Sequence, residues 1–326
     1  MTEIFIGVDI GGTSLRAARF VGHHHIPEHK TKQPTQPTHG REDTLNRLEQ
    51  VIREAAPADL SQVAGIGIGS PGPLDPYTGV VIEAPNIPGW ENLPLQKAMQ
   101  DRLGRPVFIG NDANLAALGE WKFGAGRGHR DVLYMTISTG IGGGVISNGK
   151  LILGARGLAT EVGHVQVLPD GPLCGCGQRG HLEALASGPS IARIARERLG
   201  SDEAPPTKIL ELVNGDISKI TAVILGQAAQ AGDEFACRLF AEAGGHIGTA
   251  LANLLHLFNP SIVIIGGGVS MLGDLLFEPI RAAVRRYAMN ELYWRDCPIV
   301  PAALGDDAGL VGAGALAMEE TIERNL

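Results

Sequence analysis

Residues 4–21 read IFIGVDIGGTSLRAARFV. A short apolar, β-prone run at 4–9 precedes Gly11-Gly12-Thr13, and a second run follows at 15–21. Two such runs joined by a glycine-containing turn predict a β-hairpin. We therefore expect the protein to open with a hairpin whose tip is rich in glycine.

The same plan returns near the middle of the chain. Residues 132–138 are apolar and β-prone, residues 139–143 read TGIGG, and Asn148-Gly149 favours a type I′ hairpin turn. Each half would then begin with strand, glycine turn and strand. This order predicts an internal duplication of architecture rather than of residue identity.

Between and after the hairpins, periodicity predicts a mixture of helices and strands. Helices are expected near 42–56, 95–103, 112–123, 189–199, 219–231, 233–258 and 307–324, and strands at 63–69, 106–110 and 262–265. Mixed α and β order with two hairpin starts predicts two α/β domains. A cluster of Gly, Arg and His at 124–130 marks the expected boundary.

Composition excludes several classes of protein. Of 326 residues 44% are hydrophobic and 19% charged, which argues against disorder, and the net charge of −8 argues against a nucleic-acid surface. The absence of a run of about 18 apolar residues predicts no membrane span. The four cysteines are too few for a disulfide scaffold at this length. We expect a cytoplasmic protein.

The two glycine turns suit phosphate binding. Gly11 and Gly12 lack Cβ atoms, so their N–H groups can approach phosphate oxygens, and Thr13 adds a hydroxyl. Asp9 is a candidate to hold Mg²⁺ through water. An ordinary turn is the alternative for either loop alone, but the second loop, 138–144, repeats the same chemistry.

Three other motifs are rejected. Residues 67–72 match G-x-G-x-x-G, but the prolines that follow disfavour the helix that a dinucleotide site requires. Residues 144–150 match G-x-x-x-x-G-K, but Leu151 stands in place of Ser or Thr within an expected hairpin. Residues 23–25, three histidines, are interpreted as a solvated turn.

Asn111 and Asp112 lie between a predicted strand and a predicted helix. Asp at a helix N-cap is one interpretation. The other is a general base that accepts a hydroxyl proton during phosphoryl transfer, with Asn111 orienting a polyol. Local sequence alone leaves both open.

Four zinc-competent side chains fall within eighteen residues, His164, Cys174, Cys176 and His181. A Cys₂His₂ set suits a closed tetrahedral site. Glu161 and Glu183 flank this loop. With one ring nitrogen of His164 on the metal, these three side chains would form a preorganised polar wall for sugar hydroxyls.

Together these residues resemble the ROK family of bacterial sugar kinases and related repressors. The matching stretches are DIGGT (9–13), GSPG (69–72), PN (85–86), GND (110–112), STGIGGG (138–144), EVGH (161–164), CGCG (174–177), LE (182–183) and GGG (266–268). The resemblance implies an α/β, actin/hexokinase-like ATPase fold with two RNase H-like domains around a cleft. It implies a first domain of 1–122 and 303–326 and a second of 123–302.

The resemblance also implies roles. Asp112 is the expected catalytic base. Sugar hydroxyls are expected at Gly72, Asn86, Asn111, Asp112, Glu161, His164 and Glu183. ATP is expected at Asp9, Gly11, Gly12, Thr13, Thr139, Gly140, Gly266, Gly267 and Gly268. The expected cofactors are Mg²⁺ and a structural Zn²⁺ held by His164, Cys174, Cys176 and His181.

One departure concerns the zinc loop, because the family pattern carries a third Cys where this chain has His181. The expected reaction is ATP-dependent phosphorylation of a hexose, glucose first, with N-acetylmannosamine, N-acetylglucosamine, fructose or allose as alternatives. A sugar-responsive repressor is disfavoured because the first phosphate turn begins at residue 9, and an actin-like ATPase because it has no need of the zinc loop. A homodimer or homotetramer is expected by analogy alone.

Overall fold

The computed structural model describes residues 3–324. The strands are β1 (Ile4–Ile10), β2 (Ser14–Val21), β3 (His29–Pro34), β4 (Val63–Ser70), β5 (Leu74–Asp75), β6 (Val80–Val81), β7 (Val107–Asn111), β8 (Val132–Ile137), β9 (Ile141–Ser147), β10 (Lys150–Leu151), β11 (Ile262–Gly266) and β12 (Ile299–Pro301). The α-helices are α1 (Arg41–Ala55), α2 (Leu95–Leu103), α3 (Asp112–Phe123), α4 (Leu182–Ala186), α5 (Gly188–Leu199), α6 (Ile209–Leu212), α7 (Ala222–Gln230), α8 (Glu234–Phe258), α9 (Asp274–Tyr287) and α10 (Ala308–Arg324).

The two large sheets share one strand order. The first runs β3-β2-β1-β4-β7 and the second β10-β9-β8-β11-β12, each with five strands. In each sheet the two strands that come first in the sequence, β1 and β2 or β8 and β9, are joined by a glycine turn. The two strands that come last, β4 and β7 or β11 and β12, run parallel to the first strand of their sheet. The predicted duplication of architecture is confirmed, and so is the type I′ hairpin, in which Asn148 and Gly149 both have positive φ.

The chain divides into two compact units. The first comprises 1–128, 144–160 and 303–326, and the second 129–143 and 161–302. The domain assignment expected from sequence differs from these units in two segments, 123–128 and 144–160, because it placed both in the second domain. The segment 144–160 is tied to the first unit by Tyr77, whose hydroxyl donates to the carbonyl of Gly154 at 2.9 Å, and by Thr160, which donates to Asn114 at 3.0 Å.

Glycine lets helix α10 lie directly on the first sheet. A Cβ at Gly7 would come within 2.7 Å of the backbone nitrogen of Gly314, and one at Gly67 would overlap the carbonyl of Ala313. Gly67 therefore serves helix packing, and β4 leads into a loop and β5 rather than a helix. As the sequence predicted, the G-x-G-x-x-G match at 67–72 does not open the helix that a dinucleotide site requires. The G-x-x-x-x-G-K match is likewise the β9–β10 hairpin.

The opposite face of the first sheet packs on α1 and α2. The fully buried core there includes Ile6, Leu48, Ile66 and Trp90. Apolar spacing along α1, from Leu45 to Ala55, places its buried side chains on this face. Both faces of the sheet are thus covered, which leaves its strand ends and turns as the places for polar chemistry.

In the second unit the longest helix, α8, packs closely on α9. A Cβ at Gly248 would come within 2.5 Å of the Ala283 side chain, and one at Gly244 within 2.8 Å of Pro279. The sequence did not predict α9, β3 or β12. In the described part of the chain, no helix has both the length and the apolar character that a membrane span needs.

Candidate active site

A buried threonine that lies outside the first glycine turn, Thr35, donates hydrogen bonds to the turn. Within the turn, the backbone nitrogen of Gly11 donates to the carbonyl of Ser14 at 2.9 Å. Thr35, fully buried after β3, donates its hydroxyl to the carbonyl of Gly11 at 2.6 Å and its N–H to that of Thr13 at 3.0 Å. Sequence reasoning missed Thr35, because it lies in a polar stretch, TQPT, with no motif of its own.

Asp9 at the end of β1 is paired with an arginine. Its Oδ2 accepts from Nε and Nη2 of Arg16 at 3.1 and 2.5 Å, and Arg16 also lies 3.9 Å from Asp307. A Cβ on Gly309 would come within 3.4 Å of Oδ1. The Asp9 carboxylate is therefore already charge-paired, which favours water-mediated rather than direct contact with Mg²⁺.

Strand register brings three candidate stretches to one edge of the first sheet. Asp9 on β1 is opposite Gly69 on β4, and Gly69 is opposite Gly110 on β7. The three strands run parallel and end at this edge. The glycine turn that follows β1, the loop at 69–72 at the end of β4 and the start of α3 after β7 therefore lie side by side. The carboxyl edge of such a sheet is the usual place for a ligand site.

The N-cap of α3 is Asn111, not Asp112. The Asn111 Oδ1 atom accepts from the backbone nitrogens of Ala113 and Asn114 at 3.0 and 3.2 Å. The capping interpretation of Asp112 is wrong, since Asp112 is the first helical residue and its Oδ1 accepts from the Ala113 nitrogen at 2.7 Å. The Asp112 carboxylate thus lies at the N-terminal end of α3, where the positive end of the helix dipole interacts favourably with a negative group.

The other sugar candidates of the first unit lie near these residues. A Cβ on Gly72 would come within 3.3 Å of Nδ2 of Asn111, so glycine leaves room for that amide. Because Oδ1 caps the helix, Nδ2 is the end of Asn111 suited to donate to a ligand hydroxyl. Asn86 is exposed, and its Cβ would lie 3.2 Å from a Cβ on Gly12.

The nucleotide candidates of the second unit also meet at one sheet edge. Gly266, which ends β11, is opposite Thr136 on β8. A Cβ on Gly267 would overlap the carbonyl of Ile137, the residue before the second glycine turn. Within that turn the Ser138 nitrogen donates to the carbonyl of Gly140 at 2.9 Å. The second glycine turn, which carries Thr139 and Gly140, therefore begins beside Gly267.

The four predicted zinc ligands gather in one cluster. His164, Cys174, Cys176 and His181 each present a ligand atom, and all four atoms lie within 4.8 Å of one another. The two histidine Nδ1 atoms are 3.3 Å apart, and Cys176 Sγ lies 3.2 Å from His181 Nδ1. A tetrahedral zinc ion separates two nitrogen ligands by roughly 3.3 Å and nitrogen from sulfur by about 3.6 Å. The donor set fits zinc, and His181 takes part in it.

Two carboxyl groups border this cluster. Glu183 Oε2 accepts from the backbone nitrogen of Ile141 at 2.9 Å, and its Oε1 lies 3.9 Å from Cys174 Sγ. Desolvation raises the pKa of Glu161 above its ordinary value, the charge of Glu183 adds to this, and His164 opposes it. Since Nδ1 of His164 faces His181 and Cys174, its Nε2 is the atom available to a ligand.

The repeated sheet order, with a glycine turn at the tip of each leading hairpin, defines an actin/hexokinase-like ATPase fold. The chain belongs to the ROK family, whose sequence model matches residues 5–320. It is 40% identical over 314 residues to a glucokinase of Thermotoga maritima, covering 96% of this chain and 97% of that one.

Two solved structures show the same fold. A ROK family glucokinase from Streptomyces griseus, in complex with glucose and AMPPNP, superposes with a TM-score of 0.83 at 38% identity, covering 97% of this chain and 99% of that one. A ROK family transcriptional regulator, a homologue of the Escherichia coli Mlc protein, gives a TM-score of 0.84 at 26% identity, covering 98% of this chain and 81% of that one.

Proposed function

We propose that this chain is an ATP-dependent hexose kinase that converts glucose to glucose 6-phosphate. The observation that carries the kinase assignment is the shared sheet edge, where Asp112 begins α3 beside the glycine turn that follows β1. The choice of glucose is supported by the glucokinases that this chain resembles along nearly its whole length.

The proposed reaction uses Asp112 as the general base. Its carboxylate accepts the proton of the sugar C6 hydroxyl while that oxygen attacks the γ-phosphorus of ATP. The new O–P bond forms as the bond from the γ-phosphorus to the bridging oxygen breaks, and ADP leaves. Positioned proton acceptance of this kind contributes roughly 10²–10⁴-fold to a rate.

The other site residues are assigned by unit. In the first unit we assign Gly72, Asn86 and Asn111 to the sugar, and Asp9 and the turn Gly11-Gly12-Thr13 to the phosphates and their magnesium. In the second unit we assign Glu161, His164 and Glu183 to the sugar, and Thr139, Gly140 and Gly266–Gly268 to the nucleotide. Magnesium, when bound, neutralises phosphate charge.

We further propose that the cluster of His164, Cys174, Cys176 and His181 holds a structural zinc ion. Zinc supplies no chemistry to the transfer and instead fixes the loop that carries the sugar candidates. Burial raises the pKa of the Cys174 thiol, so ionisation of that sulfur would require a neighbouring cation such as the proposed zinc. Free thiols in this cluster suit a reducing, cytoplasmic location.

The test is a panel of hexoses against a panel of phosphoryl donors. Glucose, N-acetylmannosamine, N-acetylglucosamine, fructose and allose are each incubated with ATP, GTP or polyphosphate, and product mass is measured. Glucose with ATP should give the highest kcat/KM. A larger value with another hexose would reject glucose as the substrate. No sugar phosphate from any pair would reject the kinase assignment and favour a regulator.

A further inference from the structure

The chain passes between its two compact units four times within residues 3–324, after residues 128, 143, 160 and 302. Beside each of these crossings, a segment of the first unit contacts helix α3. This is the helix that begins with the proposed base, Asp112. The contacts are of three kinds, and all lie inside the first unit.

The first and last crossings share one buried carboxylate. Glu120 is fully buried near the end of α3. Its Oε2 accepts from the backbone nitrogens of Ala125 and Ala303 at 2.9 and 3.1 Å, and its Oε1 accepts from that of Leu304 at 2.7 Å. A backbone N–H group that loses its acceptor inside a protein is costly to leave unpaired. One side chain thus ties together two segments separated by about 180 residues of sequence.

A glycine makes this arrangement close-fitting. A Cβ at Gly124 would overlap Oε2 of Glu120. The end of α3 therefore lies in close contact with the Glu120 carboxylate. The backbone nitrogen of Ala125, which follows Gly124, donates to that carboxylate.

The two middle crossings meet α3 one or two turns earlier. At the second, a Cβ on Gly144 would come within 2.5 Å of the Ala117 side chain and 3.3 Å of the Asn114 Cα atom. At the third, Thr160 donates its hydroxyl to Oδ1 of Asn114 at 3.0 Å and has a φ of 69°. A β-branched residue rarely adopts that conformation, so its surroundings hold it there.

We propose that α3 fixes all four crossings relative to Asp112, with Glu120 as the principal positioning residue. Asp112 and Glu120 are eight residues apart on one helix, roughly 12 Å along its axis. Glu161, assigned to the sugar, directly follows the third crossing, and Gly140, assigned to the nucleotide, lies shortly before the second. Loosening a crossing therefore lowers the fraction of protein in which the segments that lead to these groups are ordered for binding, which raises the apparent Kd for sugar by the same factor. This inference rests on the proposed function for its kinetic part only.

The experiment compares two variants with matched controls. Glu120→Gln removes one acceptor oxygen from the crossings. Glu319→Gln makes the same chemical change in a partly exposed carboxylate that pairs with Lys122 of α3. Thr160→Val removes the hydroxyl that reaches Asn114, and Thr160→Ser retains it. For each we measure KM and kcat with glucose and ATP, and amide hydrogen exchange without ligands.

Glu120→Gln should raise the KM for glucose roughly tenfold or more, as expected when a backbone donor is left without its acceptor, with a smaller fall in kcat. Exchange should quicken at 123–126 and 302–305 while the sheets keep their protection. Thr160→Val should act in the same direction at 158–162, and Thr160→Ser and Glu319→Gln should behave as the unchanged protein.

The proposal is overturned if Glu120→Gln matches Glu319→Gln in both KM and exchange. It is also overturned if exchange quickens uniformly, because that marks a general loss of stability. If Glu120→Gln does not fold, the Thr160→Val and Thr160→Ser pair decides by the same criteria. If the unchanged protein phosphorylates no hexose, the proposed function fails, and exchange without ligands still decides whether Glu120 holds the crossings.

Discussion

Glu183 Oε2 accepts a hydrogen bond of 2.9 Å from the backbone nitrogen of Ile141. A Cβ on Gly140 would come within 2.7 Å of the same oxygen. The carboxylate that follows the loop proposed to hold zinc is thereby joined to the second glycine turn. Within the second unit, one side chain connects the residues proposed for sugar to those proposed for phosphate.

This connection predicts that Glu183→Ala raises the KM for both ATP and glucose. Glu183→Gln retains an oxygen that can accept from Ile141, so it should raise mainly the KM for glucose. Steady-state kinetics with each substrate varied in turn provide the measurement. An unchanged KM for ATP in Glu183→Ala would contradict the coupling between turn and carboxylate.

Asp112→Asn should lower kcat by roughly 10²–10⁴-fold, because the amide cannot accept the hydroxyl proton. Its Oδ1 can still accept from the Ala113 nitrogen, so the fold and the Kd for glucose should change little. Coupled ADP release and calorimetric titration of glucose provide the two measurements. Asp101→Asn, an exposed change on α2, is the control. Near-normal turnover in Asp112→Asn would reject the base assignment.

Thr35→Val should weaken ATP binding severalfold. The change leaves the carbonyl of Gly11 without its 2.6 Å donor, a loss of about 1–3 kcal/mol at a buried site. Thr31→Val is a matched control, because Thr31 donates to Val51 of α1 rather than to the glycine turn. Both variants should lose some stability, but only Thr35→Val should raise the KM for ATP. Equal KM values in the two would exclude a role for Thr35 in the turn.

The purified protein should contain one zinc ion per chain by elemental analysis. Removal by a chelator should lower Tm by roughly 5–10 °C, since the loop then loses its cross-link. His181→Cys should retain the ion, as a thiolate is an equally suitable ligand, whereas His181→Ala should not. Full zinc content in His181→Ala would show that this imidazole is not a ligand.

The lowered pKa of Asp233 predicts that its contribution to the free energy of unfolding depends on pH. Burial alone would raise the pKa of Asp233, but hydrogen bonds from the Ala236 and Lys208 nitrogens and the Thr207 hydroxyl together hold it below the ordinary 3.8. Because the folded-state pKa lies below that of the unfolded chain, this stabilisation is present at neutral pH and is lost as the pH falls through the folded-state value.

Asp233→Ala should therefore lower the stability by about 1–2 kcal/mol at pH 7, as for other N-cap replacements, and by less at pH 3. Thermal unfolding at the two pH values measures the difference. Asp216→Ala, which removes the cap of the short helix Ile217–Lys219, is the control and should have a smaller effect at pH 7. The linkage would be contradicted if the difference in stability between Asp233→Ala and the unchanged protein were the same at both pH values.

The sequence predicted best where the decisive residues are close neighbours. The glycine turns, the helix that begins at Asp112 and the gathering of two histidines and two cysteines all depend on local patterns of residue type. Thr35 and Glu120 were not predicted, because each acts on backbone groups brought to it by tertiary structure. Neither carries a signal in the residues beside it.

The missed elements have equally physical causes. Strand β3 reads HKTKQP and lies at the edge of its sheet, so it forms by backbone pairing with β2 and shows no apolar alternation. Helix α9 contains Pro279 in its interior, a residue that normally argues against a helix. Its close packing on α8 through Gly244 and Gly248 compensates for this.

The position of α10 has a consequence for how the protein is made. The ribosome produces α10 after the other helices and strands, yet α10 lies on the very first strand, where glycines admit its backbone. The face of the first sheet that α10 covers is therefore exposed during most of translation. The nascent chain is expected to need protection from aggregation until residues 308–324 emerge from the exit tunnel.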